Sequence, residues 1–231
     1  MHSHPGAPWI TANFAGMTAL DLDLERTSVF LDFDGTISTV DVGMYVLERA
    51  ASPAWWDLHE QFERGEIGSR ECIVDQWALV QGDEATLRTI AREVELDPGF
   101  APLVDALRAA GAELAVVSDG FGFYVHDACA PLGVDVVTNA IDFTTGELQF
   151  PHEDRCCPCS SCGVCKQAPI KDAQYRGRTA VLIGDGASDR KAALLADVVF
   201  AKGSLASWCA TFGVACIPFE TLGDVRRILF G

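Results

Sequence analysis

Ser28-Val29-Phe30-Leu31-Asp32-Phe33-Asp34-Gly35-Thr36 is the stretch on which the reading of the fold turns. Its first half is an unbroken apolar run, the pattern of a strand buried on both faces. Its second half becomes polar and carries a glycine, so the strand ends in a turn. The same figure recurs twice. Leu114-Ala115-Val116-Val117 runs into Ser118-Asp119-Gly120, and Ala180-Val181-Leu182-Ile183 runs into Gly184-Asp185-Gly186. Residues 134–137 and 198–200 read as two more strands, and helical stretches over 100–110 and 188–196 separate them. This alternation predicts an α/β fold, a Rossmann-like parallel sheet with helices on both faces. Such sheets bind ligands beyond the carboxyl ends of their strands. All three polar turns fall at such ends and can converge on one site.

Working outward, residues 42–96 change character. They read as helices over 43–50, 53–64, 69–79 and 83–94, punctuated by Gly65, Gly68 and Gly82. A helical insertion after the first strand predicts a small cap domain over 42–96, above a core domain built from 27–41 and 97–231. Trp55, Trp56 and Trp77 belong to this insertion, either as the packing of a helical bundle or as part of a binding wall. Residues 1–26 show no period and read as a mobile N-terminal tail, with Met17 as an alternative start.

The 231 residues carry a net charge of −16, and 49% of them are hydrophobic. The apolar share is enough for a sizeable core. The charge repels nucleic acid and anionic membranes, which excludes both as expected partners. No apolar run is long enough for a membrane span, and the N-terminus lacks a secretory pattern, so a cytoplasmic monomer or homodimer is expected. A phosphorylated ligand meets the same repulsion, so local cations must overcome it.

Phosphoryl transfer needs a nucleophile in line with phosphorus, a proton donor for the leaving oxygen, and positive charge on the remaining oxygens. Asp32 and Asp34, two residues apart at a strand end, can share one face. Asp32 can attack phosphorus, while Asp34 can protonate the leaving oxygen and then activate water. Taken alone, the pair is also just an acidic turn. Ser118, with the backbone of Asp119 and Gly120, can hold phosphate oxygens, although Ser-Asp-Gly is commonly only a turn. Asp185 and Asp189 offer the hard oxygens that Mg²⁺ prefers, and with Asp32 they would surround one cation. Asp189 equally suits the first turn of a helix. Lys166, Lys171, Lys191 and Lys202 are the candidates for the balancing ammonium, and local spacing does not choose between Lys166 and Lys171.

The order Asp-x-Asp-Gly-Thr, serine after an apolar run, lysine, then Gly-Asp-Gly-x-x-Asp resembles the haloacid dehalogenase superfamily. The resemblance spans about residues 28–200. The insertion directly after the first motif is similar to the subfamily containing phosphoserine phosphatase. The resemblance implies Asp32 as nucleophile and Asp34 as acid and base. It also implies Mg²⁺ on Asp32, the Asp34 carbonyl and Asp185, with Asp189 in support and Ser118 and a lysine on the phosphate. Phe150-Pro151-His152 through Cys162-Gly163-Val164-Cys165-Lys166 is similar to the 2-hydroxy-3-keto-5-methylthiopentenyl-1-phosphate phosphatases, which favours Lys166 and a small phosphorylated metabolite of methionine-salvage type. The cysteine spacing departs from that family's. Asp75-Gln76-Trp77 lacks the arginine that phosphoserine phosphatases carry in the cap. Asp41 falls where the subfamily often has an acidic residue near the leaving group; it also suits the N-cap of the helix starting at Val42.

Nine cysteines are present, and five of them, Cys156, Cys157, Cys159, Cys162 and Cys165, crowd together before Lys166. Four thiolates from this cluster, or three with His152, could hold a structural Zn²⁺; the alternative is a loop of reduced thiols. His59 and His126 read as structural. The expected function is a Mg²⁺-dependent phosphomonoesterase working through an aspartyl-phosphate. The alternatives are a phosphomutase or phosphotransferase on the same scaffold, and a non-catalytic phosphate-binding protein.

Overall fold

The computed structural model describes residues 20–151 and 161–231. Seven strands form one sheet in the order β4-β3-β2-β1-β5-β6-β7. They are β1 (Thr27–Leu31), β2 (Glu113–Phe121), β3 (Asp135–Asp142), β4 (Glu147–Gln149), β5 (Thr179–Gly184), β6 (Val198–Ala201) and β7 (Ile217–Pro218). All neighbours pair in parallel except β3 and β4. β1 is central and buried throughout, as its unbroken apolar run requires. Its register sets Leu31 beside Val116 on one side and Ile183 on the other. The chain builds outward from β1 through β2 and β3, then returns to β5 on the opposite side. The carboxyl end of β1 is therefore the topological switch point where such sheets open a crevice.

Side chains alternate across the strands, so two cores form. Val29, Leu31, Val116, Val181 and Ile183 face helices α1 (Val42–Ala50), α4 (Glu84–Ala91), α5 (Phe100–Ala109), α6 (Gly122–Cys129) and α10 (Leu222–Phe230). Phe30, Val117, Leu182 and Val199 face α7 (Gln167–Tyr175), α8 (Arg190–Ala193) and α9 (Gly203–Phe212).

The insertion carries four helices, with α2 (Trp55–Glu63) and α3 (Ser69–Trp77) between α1 and α4. These four do not stand equally clear of the sheet. Val42 and Val46 of α1 and Leu87 and Ala91 of α4 belong to the main core. The α2–α3 hairpin projects beyond a neck closed by the Ala51–Val80 bridge, and a second bridge, Ser38–Leu96, closes the base of the insertion. No helix of the described residues is long and apolar enough to cross a membrane.

Residues 1–19 of the expected tail lie outside the described residues. Its last part is corrected: Leu20 is buried in the main core and its N–H donates to the Ile228 carbonyl at 2.8 Å, so residues 20–26 are docked. A second correction concerns Ser118-Asp119-Gly120. These residues do not form a turn. β2 runs on through them to Phe121, with a break in its register against β3 after Val117.

Candidate active site

Asp32 follows the last residue of β1 and is held there by its own N–H, which donates to the Ile183 carbonyl at 2.9 Å. Its Oδ1 accepts the Phe33 N–H at 2.7 Å, and its Oδ2 lies 2.7 Å from Lys166 Nζ. Lys166 is the residue before α7, almost wholly buried. Its ammonium also donates to Asp189 Oδ1 and Ser188 Oγ, each at 2.8 Å, so all three N–H donors are engaged. Lys171 is exposed, Lys191 meets Ser161 and Cys162, and Lys202 reaches the Thr36 carbonyl. Of the four lysines, Lys166 is the one brought against Asp32.

Asp185 follows β5 and accepts the Thr36 hydroxyl at 2.7 Å. Gly35 must lie close to it: its φ is +70°, and a Cβ there would run into Asp185 Oδ2. Asp189 is fully buried. Its Oδ2 accepts the N–H groups of Asp185 at 3.1 Å and Gly186 at 3.2 Å, while Oδ1 takes Lys166. Asp189 thus fixes both the lysine and the Asp185 loop, and neither of its oxygens is left over.

Asp34 has Val42 N–H on Oδ1 at 2.9 Å and the Tyr124 hydroxyl on Oδ2 at 3.1 Å. Ser118 Oγ accepts the Gly120 N–H at 2.9 Å and donates to Asp34 Oδ2 at 3.4 Å. Asp41 is the N-cap of α1, accepting Met44 N–H at 2.7 Å, and it also faces the cavity beside Asp34. Asp119 is committed to structure as well as to the cavity wall: its Oδ1 accepts the Val164 N–H, and its carbonyl takes Asn139 Nδ2 at 2.6 Å. The first bond ties the segment leading into Lys166 to β2, and the second ties β2 to β3.

Burial dominates the electrostatics. It pushes Asp34 up to about 8, with the Asp41 charge adding to it. Burial and the charge of Asp189 raise Asp32 well above the usual carboxylate range, and burial raises Asp185 to about 6. Burial works against the Lys166 ammonium, but Asp189 and Asp32 outweigh it and keep the lysine protonated. Three carboxylates around one ammonium leave excess negative charge. Oxygens of Asp32, Asp185 and Asp189 lie within 4.8 Å of one another, an all-oxygen donor set that fits Mg²⁺. Three donors already sit on Asp189, against two on Asp32 and one on Asp185, so the latter two have the more open oxygens. Among the described residues Cys162 and Cys165 join no such group. Cys156, Cys157, Cys159 and His152 lie outside the described residues, and nothing described supports Zn²⁺.

The carboxylates open onto a cavity of about 470 Å³ beneath the α2–α3 hairpin. Its wall includes Met44, Leu47, Phe62, Ile73, Trp77 and Phe123, with His59, Glu63 and Gln76 as polar members. Trp77 is the insertion tryptophan that reaches this wall, its ring 4.7 Å from that of Phe121. Trp55, at the start of α2, is buried and Trp56 is exposed. The hairpin is tied to the core by Arg190 Nη2 donating to Glu63 Oε2 at 2.7 Å and by Gly163 N–H donating to Ser69 Oγ at 3.1 Å. Tyr124, a role for Thr36, and the wall residues of the hairpin other than Trp77 escaped the sequence reading. Only the aromatic run from Phe121 to Tyr124 marked any of them, and such a run equally suits a core helix.

The sequence profile of the haloacid dehalogenase-like hydrolases matches residues 29–194. The 2-hydroxy-3-keto-5-methylthiopentenyl-1-phosphate phosphatase of an Exiguobacterium species is 30% identical over 213 residues, covering 89% of this chain and 98% of that protein. The Brevibacillus brevis protein of the same name is 30% identical over 213 residues, covering 89% of this chain and 96% of its own. Among solved structures, phosphoserine phosphatase from T. onnurineus superposes with a TM-score of 0.67 at 19% identity, over 93% of this chain and 100% of the other. At that identity the likeness speaks to the fold alone. The profile match spans the Asp32, Ser118 and Asp185 strand ends, and the relatives align along nearly their whole length, so the chain belongs to the haloacid dehalogenase-like hydrolase family, among its phosphatases.

Proposed function

We propose that this phosphatase is a Mg²⁺-dependent phosphomonoesterase acting on a small metabolite through an aspartyl-phosphate. The observation that carries the reading is the pairing of Asp32, its Oδ2 2.7 Å from a buried lysine, with Asp34 on the wall of the same cavity. In the first step an Asp32 oxygen attacks phosphorus and the bond from phosphorus to the leaving oxygen breaks. Asp34 gives that oxygen its proton, which it retains at neutral pH because burial raises its pKa to about 8. In the second step Asp34 takes a proton from water, the water oxygen attacks phosphorus, and Asp32 is released with inorganic phosphate. Lys166 and Ser118 hold the phosphoryl oxygens, and Asp189 positions Lys166. When bound by Asp32, Asp185 and the Asp34 carbonyl, Mg²⁺ supplies positive charge against the phosphoryl oxygens.

The leaving group is uncharged or cationic, and partly apolar. No lysine or arginine is among the described residues lining the cavity, whereas Asp41 and Asp119 are, and Glu63 beside them is already paired with Arg190. A substrate carboxylate would face these acids without a partner. Phosphoserine is therefore disfavoured, and the substrate named for the Exiguobacterium and Brevibacillus relatives, whose leaving portion bears no carboxylate, becomes the first compound to assay. Residues 42–96 act as the cap, with the hairpin over 51–80 closing the cavity. The test is release of inorganic phosphate from a panel of phosphomonoesters with Mg²⁺ present. Neutral leaving groups should be hydrolysed in preference to phosphoserine. Phosphate that stays organic would identify a transferase, and no turnover of any neutral ester would end the proposal.

A further inference from the structure

Tyr124 lies 90 residues from Asp34 in the chain, yet its hydroxyl is 3.1 Å from Asp34 Oδ2. In the carboxylate form of Asp34 that oxygen can only accept, so the Tyr124 O–H is the donor. The ring cannot swing aside. It is buried, packed edge-on against Phe123 with centroids 5.0 Å apart, and against Phe33 at 5.8 Å. At Asp34, the Val42 N–H occupies Oδ1 at 2.9 Å. Oδ2 is the oxygen that the hydroxyls of Tyr124 and Ser118 both reach.

We propose that Tyr124 is a positioning residue for the proton transfer, holding Asp34 Oδ2 toward the leaving oxygen and stabilising the carboxylate that forms there. The inference rests on the reading of Asp34 as the general acid. In the step concerned, the bond from phosphorus to the leaving oxygen breaks as the bond to Asp32 forms, and the proton on Asp34 Oδ2 moves to the leaving oxygen. Tyr124 keeps its own proton throughout. Before transfer its O–H meets a neutral carboxyl oxygen; after transfer it meets an anion, and a hydrogen bond to an ionised acceptor is roughly twice as strong. The contact therefore strengthens as the transition state is reached, which is the condition for raising the rate and not merely the affinity. Ser118, at 3.4 Å from the same oxygen, is a longer and weaker partner that also serves the phosphate.

The consequence depends on the leaving group. An alkoxide must be protonated as it leaves, whereas a p-nitrophenolate leaves without help. The experiment measures kcat/KM, which reports the first chemical step, for an uncharged primary alkyl phosphate and for p-nitrophenyl phosphate. Wild type, Tyr124→Phe, Tyr124→Leu and Asp34→Asn are compared in Mg²⁺. Both rates come from one preparation, so any inactive fraction cancels in their ratio. Both Tyr124 variants should lose at least about tenfold more on the alkyl than on the aryl ester, the scale of one charge-assisted hydrogen bond. The two variants differ in packing but both lack the hydroxyl, so the shift in ratio should be the same for each. Equal losses on both esters, or a shift in Tyr124→Leu that is absent from Tyr124→Phe, would overturn the inference. Asp34→Asn separates the two failures: if it too slows both esters equally, Asp34 is not the general acid and the underlying reading fails with the inference.

Discussion

Gly35→Ala separates backbone strain from damage to the site. Gly35 has φ +70°, and a Cβ at this position would lie 2.9 Å from Asp185 Cγ. Carbon pairs sit at about 3.5–4.0 Å, so the carboxylate must retreat by roughly 0.6–1.1 Å. Left-handed backbone costs a residue with a Cβ about 1–2 kcal/mol, partly offset by the narrower unfolded ensemble of alanine. Gly213→Ala supplies the control: its φ is +67° at the end of α9, and nothing lies within 4 Å of the added carbon. Both variants should melt lower, by roughly 2–4 °C for each kcal/mol lost in a chain of this size. Only Gly35→Ala should lose catalysis. A misplacement of about 1 Å costs on the order of a hundredfold, or about 2.7 kcal/mol in kcat/KM. It should also need more Mg²⁺ for half-maximal rate, because Asp185 is one of the proposed ligands. The assays are thermal denaturation and a Mg²⁺ titration of kcat/KM on all three proteins. Wild-type kcat/KM in Gly35→Ala, or an equal loss in Gly213→Ala, would refute the reasoning.

Asp32→Asn should fold normally and lose turnover by several orders of magnitude, since an amide cannot form the acyl-phosphate; retention of about a tenth of the rate removes Asp32 from that role. Chelation should abolish activity and Mg²⁺ restore it, and Mg²⁺ should raise the melting temperature by relieving repulsion among Asp32, Asp185 and Asp189; a melting curve indifferent to Mg²⁺ counts against the site. Asp34 must be protonated to act as an acid, so kcat/KM should fall as pH rises through about 8. Asp41→Asn removes a charge that helps raise that pKa, so the fall should move to lower pH; a shift to higher pH contradicts the coupling. Trp77→Ala should change relative kcat/KM among substrates, whereas exposed Trp56→Ala should not; equal effects make the insertion aromatics packing alone.

What could be read from the sequence follows from range of interaction. β1, β2 and β5 declare themselves because a parallel strand covered on both faces must be apolar at every position, as 29–31, 114–117 and 180–183 are. β4 and β7, of three and two residues, are too short for any period to register. Ser118-Asp119-Gly120 has the composition of a turn, but its conformation is decided by the neighbouring strand: Thr138 Oγ1 donates to the Gly120 carbonyl at 2.6 Å and Asn139 to that of Asp119. Local spacing does not choose between Lys166 and Lys171 because the choice rests on Asp32 and Asp189, distant in sequence from Lys166. Tyr124 was invisible as a site residue, and Trp77 could not be told from Trp55 and Trp56, for the same reason: an aromatic on a helix face looks the same whether it packs a core or walls a cavity.

The net charge of −16 and the composition of the cavity bear on one another. At physiological salt a surface charge is screened beyond about 8 Å, so the chain's overall repulsion weakens quickly with distance from a diffusing phosphate. Inside the cavity, screening fails and the local set decides. Lys166, buried behind the cavity wall, is the cation held against Asp32, and all three of its donors are engaged by protein oxygens. A phosphate can take donors from Lys166 only if Asp32 or Asp189 gives up its share. Giving up a buried carboxylate's partner is costly unless another positive charge replaces it. On the proposed mechanism substrate binding is therefore coupled to the cation: phosphate affinity should rise steeply with Mg²⁺ occupancy, and Mg²⁺ affinity should rise by the same factor with phosphate bound. Calorimetric titration of each ligand with and without the other measures both factors. Phosphate binding of equal strength in chelated and Mg²⁺-loaded protein would mean that Lys166 exchanges its partners without help, and that the acidic cluster is not what limits substrate entry.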